Sequence, residues 1–253
     1  MAIPLTADQI TRAFDKWHVD YITKPGWRTH RRDPDHGSWG PVFGLGLHHT
    51  GDDAPDVADE RLLWEGRPGL PGPLCNWGMR DDGVLVLMSA GRANHFGVGS
   101  QWVLGRVISQ SYNMGKELTP TSDSVDGNAR FYGQETMYSG GHPMTLKAYR
   151  NTVRAFAAIC DAHGWTAHSA IGHREWTRRK VDPGSLHMGK FRKDVQACLD
   201  AGPGNWPVKQ RPLEPGITAV RTSLRSMTAN QKVPMLRKAL LAADVQLAKV
   251  ERR

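Results

Sequence analysis

A chain of 253 residues, 39% hydrophobic and 23% charged, is long enough for one full α/β domain with a small extra element and apolar enough to bury a core. Three cysteines, Cys75, Cys160 and Cys198, are an odd, sparse set with no C-x-x-C spacing, which argues against a disulfide framework and suits a reducing compartment. No run approaches the ~18 apolar residues of a membrane span. The stretch Met1–Asp8 lacks the basic-then-apolar pattern of a signal peptide, so the cytoplasm is the expected place of synthesis. The net charge of +8 is unevenly spread: residues 207–253 hold ten Lys/Arg against three acids, and residues 1–206 hold 23 against 22. A near-neutral body with a tail of +7 suggests a polyanion partner for the tail.

In chain order, residues 6–19 read as an amphipathic helix, with Ile10, Phe14 and Trp17 at helical spacing. A basic loop with Pro and Gly follows to Gly40. Pro41–Leu47 reads as a short buried strand that ends at His48, and strand ends in α/β sheets are where sites gather. Residues 52–73 read as loop with one helical turn near 59–63. Residues 84–87 read as a strand, and 97–128 as a loop excursion over a groove. Residues 145–163 give the clearest helix: Thr145 caps it, Leu146, Tyr149, Val153, Phe156 and Cys160 share one face, and Gly164 ends it. A strand at 167–171 leads to His173, and a last helix at 190–201 stops at Gly202-Pro-Gly204. Strands alternating with helices predict an α/β domain over residues 1–205 with a central mixed sheet flanked by helices.

Residues 206–216 carry three prolines and read as a linker. Beyond it, Ile217, Val220, Leu224 and Met227 form one apolar stripe, and Leu236, Leu240, Ala243, Leu247 and Val250 form another. These predict a basic helical hairpin over 217–253 that binds a polyanion, packs on the main domain or dimerises. Nine tryptophans belong mostly to the core, with some expected along a sugar-binding groove.

The chemistry concentrates in two segments. One is Leu45-Gly-Leu-His-His-Thr-Gly51; the other is Ile171-Gly-His-Arg-Glu-Trp-Thr-Arg-Arg-Lys-Val-Asp-Pro-Gly184. Two imidazoles and a carboxylate, His48, His173 and Asp182, make a three-ligand zinc set with a fourth position left for water. Pro183 and Gly184 let the Asp182 loop turn back toward the metal.

These motifs resemble those of the zinc-dependent N-acetylmuramoyl-L-alanine amidases, in the type-2 amidase and peptidoglycan-recognition-protein superfamily. The amidase modules of bacteriophage endolysins are the nearer likeness, and it covers about Trp17 to Leu199. The H-H-T motif, the G-H-R-E motif and K-V-D-P-G carry it, together with Gly26-Trp-Arg-Thr-His30, the Asp82-Gly83 hairpin and the Ala90–His95 loop. The likeness implies the peptidoglycan-recognition fold with a small C-terminal helical extension. It implies one Zn2+ per chain, bacterial peptidoglycan as partner and release from the host cytoplasm to act on the wall. It also implies Lys180 and Glu135 as catalytic residues, Glu135 as general base through a loose match of Phe131–Glu135 to the family's I-G-I-E strand. His49, Arg92, Asn94 and His95 become candidates for substrate contacts or support of the ligands. The Tyr that many relatives carry before the hairpin is absent from Pro73–Met79.

The reaction so implied is hydrolysis of the amide between N-acetylmuramic acid and L-alanine. A non-catalytic peptidoglycan-recognition module is the main alternative, opposed by retention of all three ligands and Lys180. A zinc peptidase acting within the stem peptide is a second. Nucleic-acid binding is opposed by the near-neutral body and the lack of a helix-turn-helix or aromatic RNA-binding signature.

Overall fold

A capping box opens the first helix. The Gln9 amide donates to Thr6 Oγ1 at 3.3 Å and the Thr6 amide donates to Gln9 Oε1 at 2.8 Å, satisfying two of the N–H groups a helix start leaves free. Helix α1 (Ala7–Lys16) buries Ile10 and Phe14, with Trp17 buried just beyond it. The computed structural model describes residues 2–207 except Pro34 and His36. Most of the expected linker and all of the hairpin at 217–253 lie outside the described residues.

The chain continues through β1 (Tyr21–Thr23), β2 (Gly44–His49), α2 (Asp56–Glu65), β3 (Gly66–Arg67), β4 (Leu70–Pro71), β5 (Trp77–Met79) and β6 (Leu85–Leu87). It goes on through β7 (Val98–Gly99), α3 (Gln101–Ser109), β8 (Val125–Asp126), β9 (Phe131–Thr136) and α4 (Leu146–His163). Within the described residues it closes with β10 (Ala170–Gly172), the single turn α5 (His173–Trp176) and α6 (Met188–Ala201). Six strands form a mixed sheet in the order β1-β6-β5-β9-β2-β10. Every neighbouring pair is parallel except β5 with β6. This is the α/β architecture the sequence predicts.

Side chains alternate across the sheet, and the two faces differ in kind. Leu45, Leu47, Trp77, Met79, Leu85, Leu87 and Tyr132 join one large apolar cluster with residues of α1, α4 and α6. The opposite face carries Gly46, His48, Gly133 and Glu135. Glycine is needed at two of these positions because rings press close to the sheet there. A Cβ at Gly46 would come within 2.9 Å of the Phe96 ring, and one at Gly133 within 2.5 Å of the His95 ring. Phe96 also packs with Val103, Val107, Phe131, Ile171 and Trp176 in a second cluster.

Several boundaries differ from the sequence reading. Residues 52–73 hold a ten-residue helix, α2, and a two-stranded ribbon rather than a loop with one turn. Only Asp59 and Leu63 of α2 are buried, so no apolar stripe announces it. The excursion at 97–128 contains α3, capped by Ser100, and the β7–β8 pair; Val103, Leu104 and Val107 anchor the helix in the second cluster. Strand β2 starts later than expected and runs to His49. The segment before His173 is a 3-10 turn at Ala167–Ser169 followed by the three-residue β10. Of the tryptophans, Trp17, Trp27, Trp77 and Trp176 are buried, and none lines the cavities described below. The three cysteines are free and buried. Among the described residues, no helix is long and apolar enough to cross a membrane.

One buried ion pair ties the last helix to the site. Arg192 and Glu175 are fully buried and bonded twice, at 2.8 and 3.0 Å. Arg192 also donates to the carbonyls of Met114, Lys116 and Ala170. Glu175 accepts from the Gly172 and Leu118 amides. Every partner is matched, which is the condition for a buried pair to be tolerated. The pair fixes the turn that begins at His173.

Candidate metal centre

Parallel pairing of β2 with β10 sets Leu47 opposite Gly172, so the next residues, His48 and His173, leave adjacent strands side by side. The third group arrives on the loop after α5. Arg174 holds that loop: its backbone amide donates to the Asp182 carbonyl at 2.8 Å, and its guanidinium donates to the carbonyls of Gly184 and Leu186, both at 2.6 Å. Tyr138 Oη donates to the Pro183 carbonyl at 3.0 Å. Gly184 has φ +63, and a Cβ there would sit 2.3 Å from the Gly140 carbonyl oxygen, so glycine alone fits this bend.

The three side chains converge. His48 Nδ1 lies 2.9 Å from His173 Nδ1 and 3.0 Å from Asp182 Oδ2, and His173 Nδ1 lies 2.8 Å from the same oxygen. All three residues are buried. The outer ring nitrogens decide where the protons are. His95 Nε2 sits 3.2 Å from the Phe131 carbonyl, which only accepts, so that nitrogen carries the proton and His95 Nδ1 is bare. His48 Nε2, 3.0 Å from His95 Nδ1, must then donate to it, leaving His48 Nδ1 bare. His173 Nε2 sits 3.2 Å from the Phe96 carbonyl; it donates there, and Nδ1 of the neutral ring is bare as well.

Burial, then the neighbouring His173, push the His48 pKa down to about 4, so its ring is neutral near pH 7. With both rings in this tautomer, two bare nitrogens and a carboxylate oxygen meet within 3.0 Å of one another. Such a cluster is repulsive without a cation and matches the two-histidine, one-carboxylate set of a catalytic zinc. The residues fit the metal.

A cavity of about 170 Å3 opens beside the cluster, lined by His49, Glu135, His173, Lys180 and Asp182 among others. A second, of about 230 Å3, shares Leu70, Asn94, His95, His173 and Lys180 with it and adds Arg179. Glu135 pairs in register with His48 across β9 and β2. Its Oε2 is buried and has no hydrogen-bond partner among the described residues. Burial pushes its pKa well up and Asp182 adds to this, while Lys180 opposes and Asp59 adds a little more. His49 Nδ1 is likewise buried without a partner among the described residues, and burial lowers its pKa. Lys180 stands exposed at the rim.

The sequence candidates therefore gather, with one exception. Arg92 lines neither cavity; its guanidinium binds Asp126 and the Ser38 carbonyl. Asn94 and His95 line both cavities, and His95 also braces a ligand. The clamping residues Arg174 and Tyr138 were not singled out from the sequence. Arg174 lies inside the motif that carries His173, but only the fold shows that its guanidinium reaches the Asp182 loop.

A mixed α/β sheet with a buried two-histidine, one-aspartate centre beside a carboxylate-bearing cavity defines a metal-dependent hydrolase. Residues 38–185 match the N-acetylmuramoyl-L-alanine amidase family Amidase_2. The chain belongs to this family, and it is an enzyme. No curated protein matches it. Among solved structures it is similar to a selenomethionine derivative of AmpD, at 16% identity over 70% of this chain and 93% of that one, TM-score 0.46. It is similar to the catalytic domain of XlyA at 16% identity over 72% and 99%, TM-score 0.45. It is also similar to the endolysin amidase LysCS from Clostridium intestinale URNW at 15% identity over 72% and 94%, TM-score 0.40.

Proposed function

We propose that this amidase is an endolysin. It hydrolyses the bond between the lactyl group of N-acetylmuramic acid and L-alanine, made in the host cytoplasm and acting on the wall after release. The observation that carries the chemistry is the convergence of three bare donor atoms, His48 Nδ1, His173 Nδ1 and Asp182 Oδ2, beside a cavity that holds Glu135 and is rimmed by Lys180. One Zn2+ held by these residues would supply Lewis acidity, polarising the scissile carbonyl and making water a nucleophile near neutral pH. Glu135, with an unpartnered oxygen and a raised pKa, takes the proton from the attacking water and passes it to the leaving amine. Lys180 donates to the carbonyl oxygen as negative charge develops there. Asn94 and His49 line the cavity where the substrate's polar groups lie.

Digestion of purified peptidoglycan tests the bond assignment. Mass spectrometry is expected to find stem peptides with a free N-terminal L-alanine. Cleavage only within the stem would make the protein a peptidase, and binding without cleavage would make it a recognition module.

For the tail, we propose wall attachment through an anionic polymer, supported by its charge of +7 against +1 for the remainder. Residues 1–205 then form the catalytic domain, 206–216 the linker and 217–253 the attachment element. A form ending at Gly204 is expected to cleave soluble muropeptides at the full-length rate. On intact walls at low salt it should be slower, and the gap should close above ~0.15 M salt, where the Debye length is about 8 Å. An insoluble or strongly destabilised truncated protein, or loss of a dimer on sedimentation, would assign the tail a structural role instead.

A further inference from the structure

Both histidines of the centre take their outer hydrogen bonds from one short stretch of chain. The His95 ring receives His48 Nε2, and the next residue's carbonyl, that of Phe96, receives His173 Nε2. Residues 95–97 belong to neither helix nor strand, so no ladder of backbone hydrogen bonds holds them. What gathers their three backbone amides is one side-chain oxygen. Asn128 Oδ1 accepts from the amides of His95 at 2.9 Å, Phe96 at 2.7 Å and Gly97 at 3.1 Å. Asn128 is itself buried, in the 3-10 turn between β8 and β9. Its amide donates to Asp126 Oδ1 at 3.0 Å. The Gly97 carbonyl closes the unit, accepting from the Gly127 amide at 2.7 Å and from Trp176 Nε1 at 3.2 Å.

We infer that Asn128 is a positioning residue of the metal centre: through one oxygen it sets the orientation and the proton placement of both His48 and His173. This rests on the reading of those two residues as metal ligands. The chain of cause is short. His48 presents a bare Nδ1 only while its Nε2 has an acceptor, and that acceptor is His95 Nδ1. His95 presents a bare Nδ1 only while its Nε2 points at the Phe131 carbonyl. If residues 95–97 shift, the His95 ring can turn, His48 can take the other tautomer, and a proton then faces the metal. The same shift withdraws the Phe96 carbonyl from His173. The seats left by Gly46 and Gly133 confine the rings of Phe96 and His95 from below, but they do not select between ring flips; the hydrogen bonds do. Outer partners of this kind change metal affinity by roughly 10- to 100-fold when removed.

Zinc affinity by chelator competition, the visible spectrum of the cobalt-substituted protein, and kcat and KM on a soluble muropeptide are measured for the wild type, Asn128→Ala and Asn128→Asp. Asn128→Ala is expected to bind zinc roughly 10- to 100-fold more weakly, to show an altered cobalt spectrum and to lose kcat with KM little changed. Asn128→Asp keeps an acceptor oxygen in place and is expected to restore all three. A folded Asn128→Ala protein with wild-type zinc affinity and cobalt spectrum overturns the inference, as does an Asn128→Asp protein as impaired as the alanine variant. Should Asn128→Ala not fold, Asn128→Asp and the histidine nitrogen chemical shifts of the zinc-loaded wild type decide. The proton is expected on Nε2 of His48, His95 and His173, and a proton on Nδ1 of His95 removes the path by which Asn128 would act. A wild-type protein that binds no zinc would instead overturn the ligand reading itself.

Discussion

Replacing His173 by alanine is expected to abolish zinc binding and hydrolysis together. His173 Nδ1 lies 2.9 Å from His48 Nδ1 and 2.8 Å from Asp182 Oδ2, so its removal opens the cluster to water and leaves two of the three donors. Wild-type protein should hold about one zinc per chain, the stoichiometry of a catalytic site, and the variant almost none. Stability gives an independent readout. Zinc at a thousandfold excess over its dissociation constant stabilises the native state by about 4 kcal/mol. For a domain of this size each kcal/mol moves the melting temperature by roughly 2–4 °C, so zinc should raise the wild-type midpoint by roughly 8–16 °C and leave the variant unmoved. The metal-free forms should melt close together, since bare donors without a cation contribute repulsion rather than support. A variant that keeps zinc, or a wild type fully active without metal, would sink the assignment of the centre.

The three converging residues were legible in the sequence because each stands at a chemically marked place. His48 follows an apolar run, His173 follows another, and Asp182 is bracketed by Lys180 and Pro183-Gly184. Helix α4 was legible for a similar reason: a threonine cap, an apolar face and a terminal glycine all agree with one another. Helix α2 was not, because a helix that buries Asp59 and Leu63 alone leaves no periodic stripe. Helix α3 was hidden in a stretch read as loop, since its apolar residues pack on Phe96 and Trp176, contacts made only by folding. The supports of the centre were hidden for a deeper reason. Asn128 lies 33 residues from His95, and Arg174, itself held by Glu117, acts on a loop that Tyr138 and Gly140 also bind. Hydrogen bonds of this sort leave no local pattern, whereas a metal ligand set, rare in type and tightly spaced, does.

Glu135→Gln is expected to keep its zinc and to lose roughly 100- to 10,000-fold in kcat, the usual worth of a general base. The substitution keeps the shape of the side chain and removes its ability to take a proton. The pH profile separates this from a loss of packing. A general base works when deprotonated, so its pKa sets the acidic limb of kcat/KM. Burial and the Asp182 carboxylate raise the Glu135 pKa, which moves that limb upward from the ordinary glutamate value near 4.3. In Glu135→Gln the limb should vanish along with most of the rate. Lys180→Ala provides the contrast. It should also keep zinc and lose about 100-fold or more in turnover, as for an oxyanion donor removed. Its acidic limb should persist, however, and should lie at higher pH than in the wild type. The sign follows from the charge: the Lys180 cation lowers the Glu135 pKa, and taking that cation away lets it rise. A Glu135→Gln enzyme with near-normal turnover and an intact acidic limb would remove Glu135 from the mechanism and turn attention to His49, the other cavity residue with a buried, unpartnered polar atom among the described residues. A Lys180→Ala enzyme with its limb moved to lower pH would mean that the two residues do not share one site.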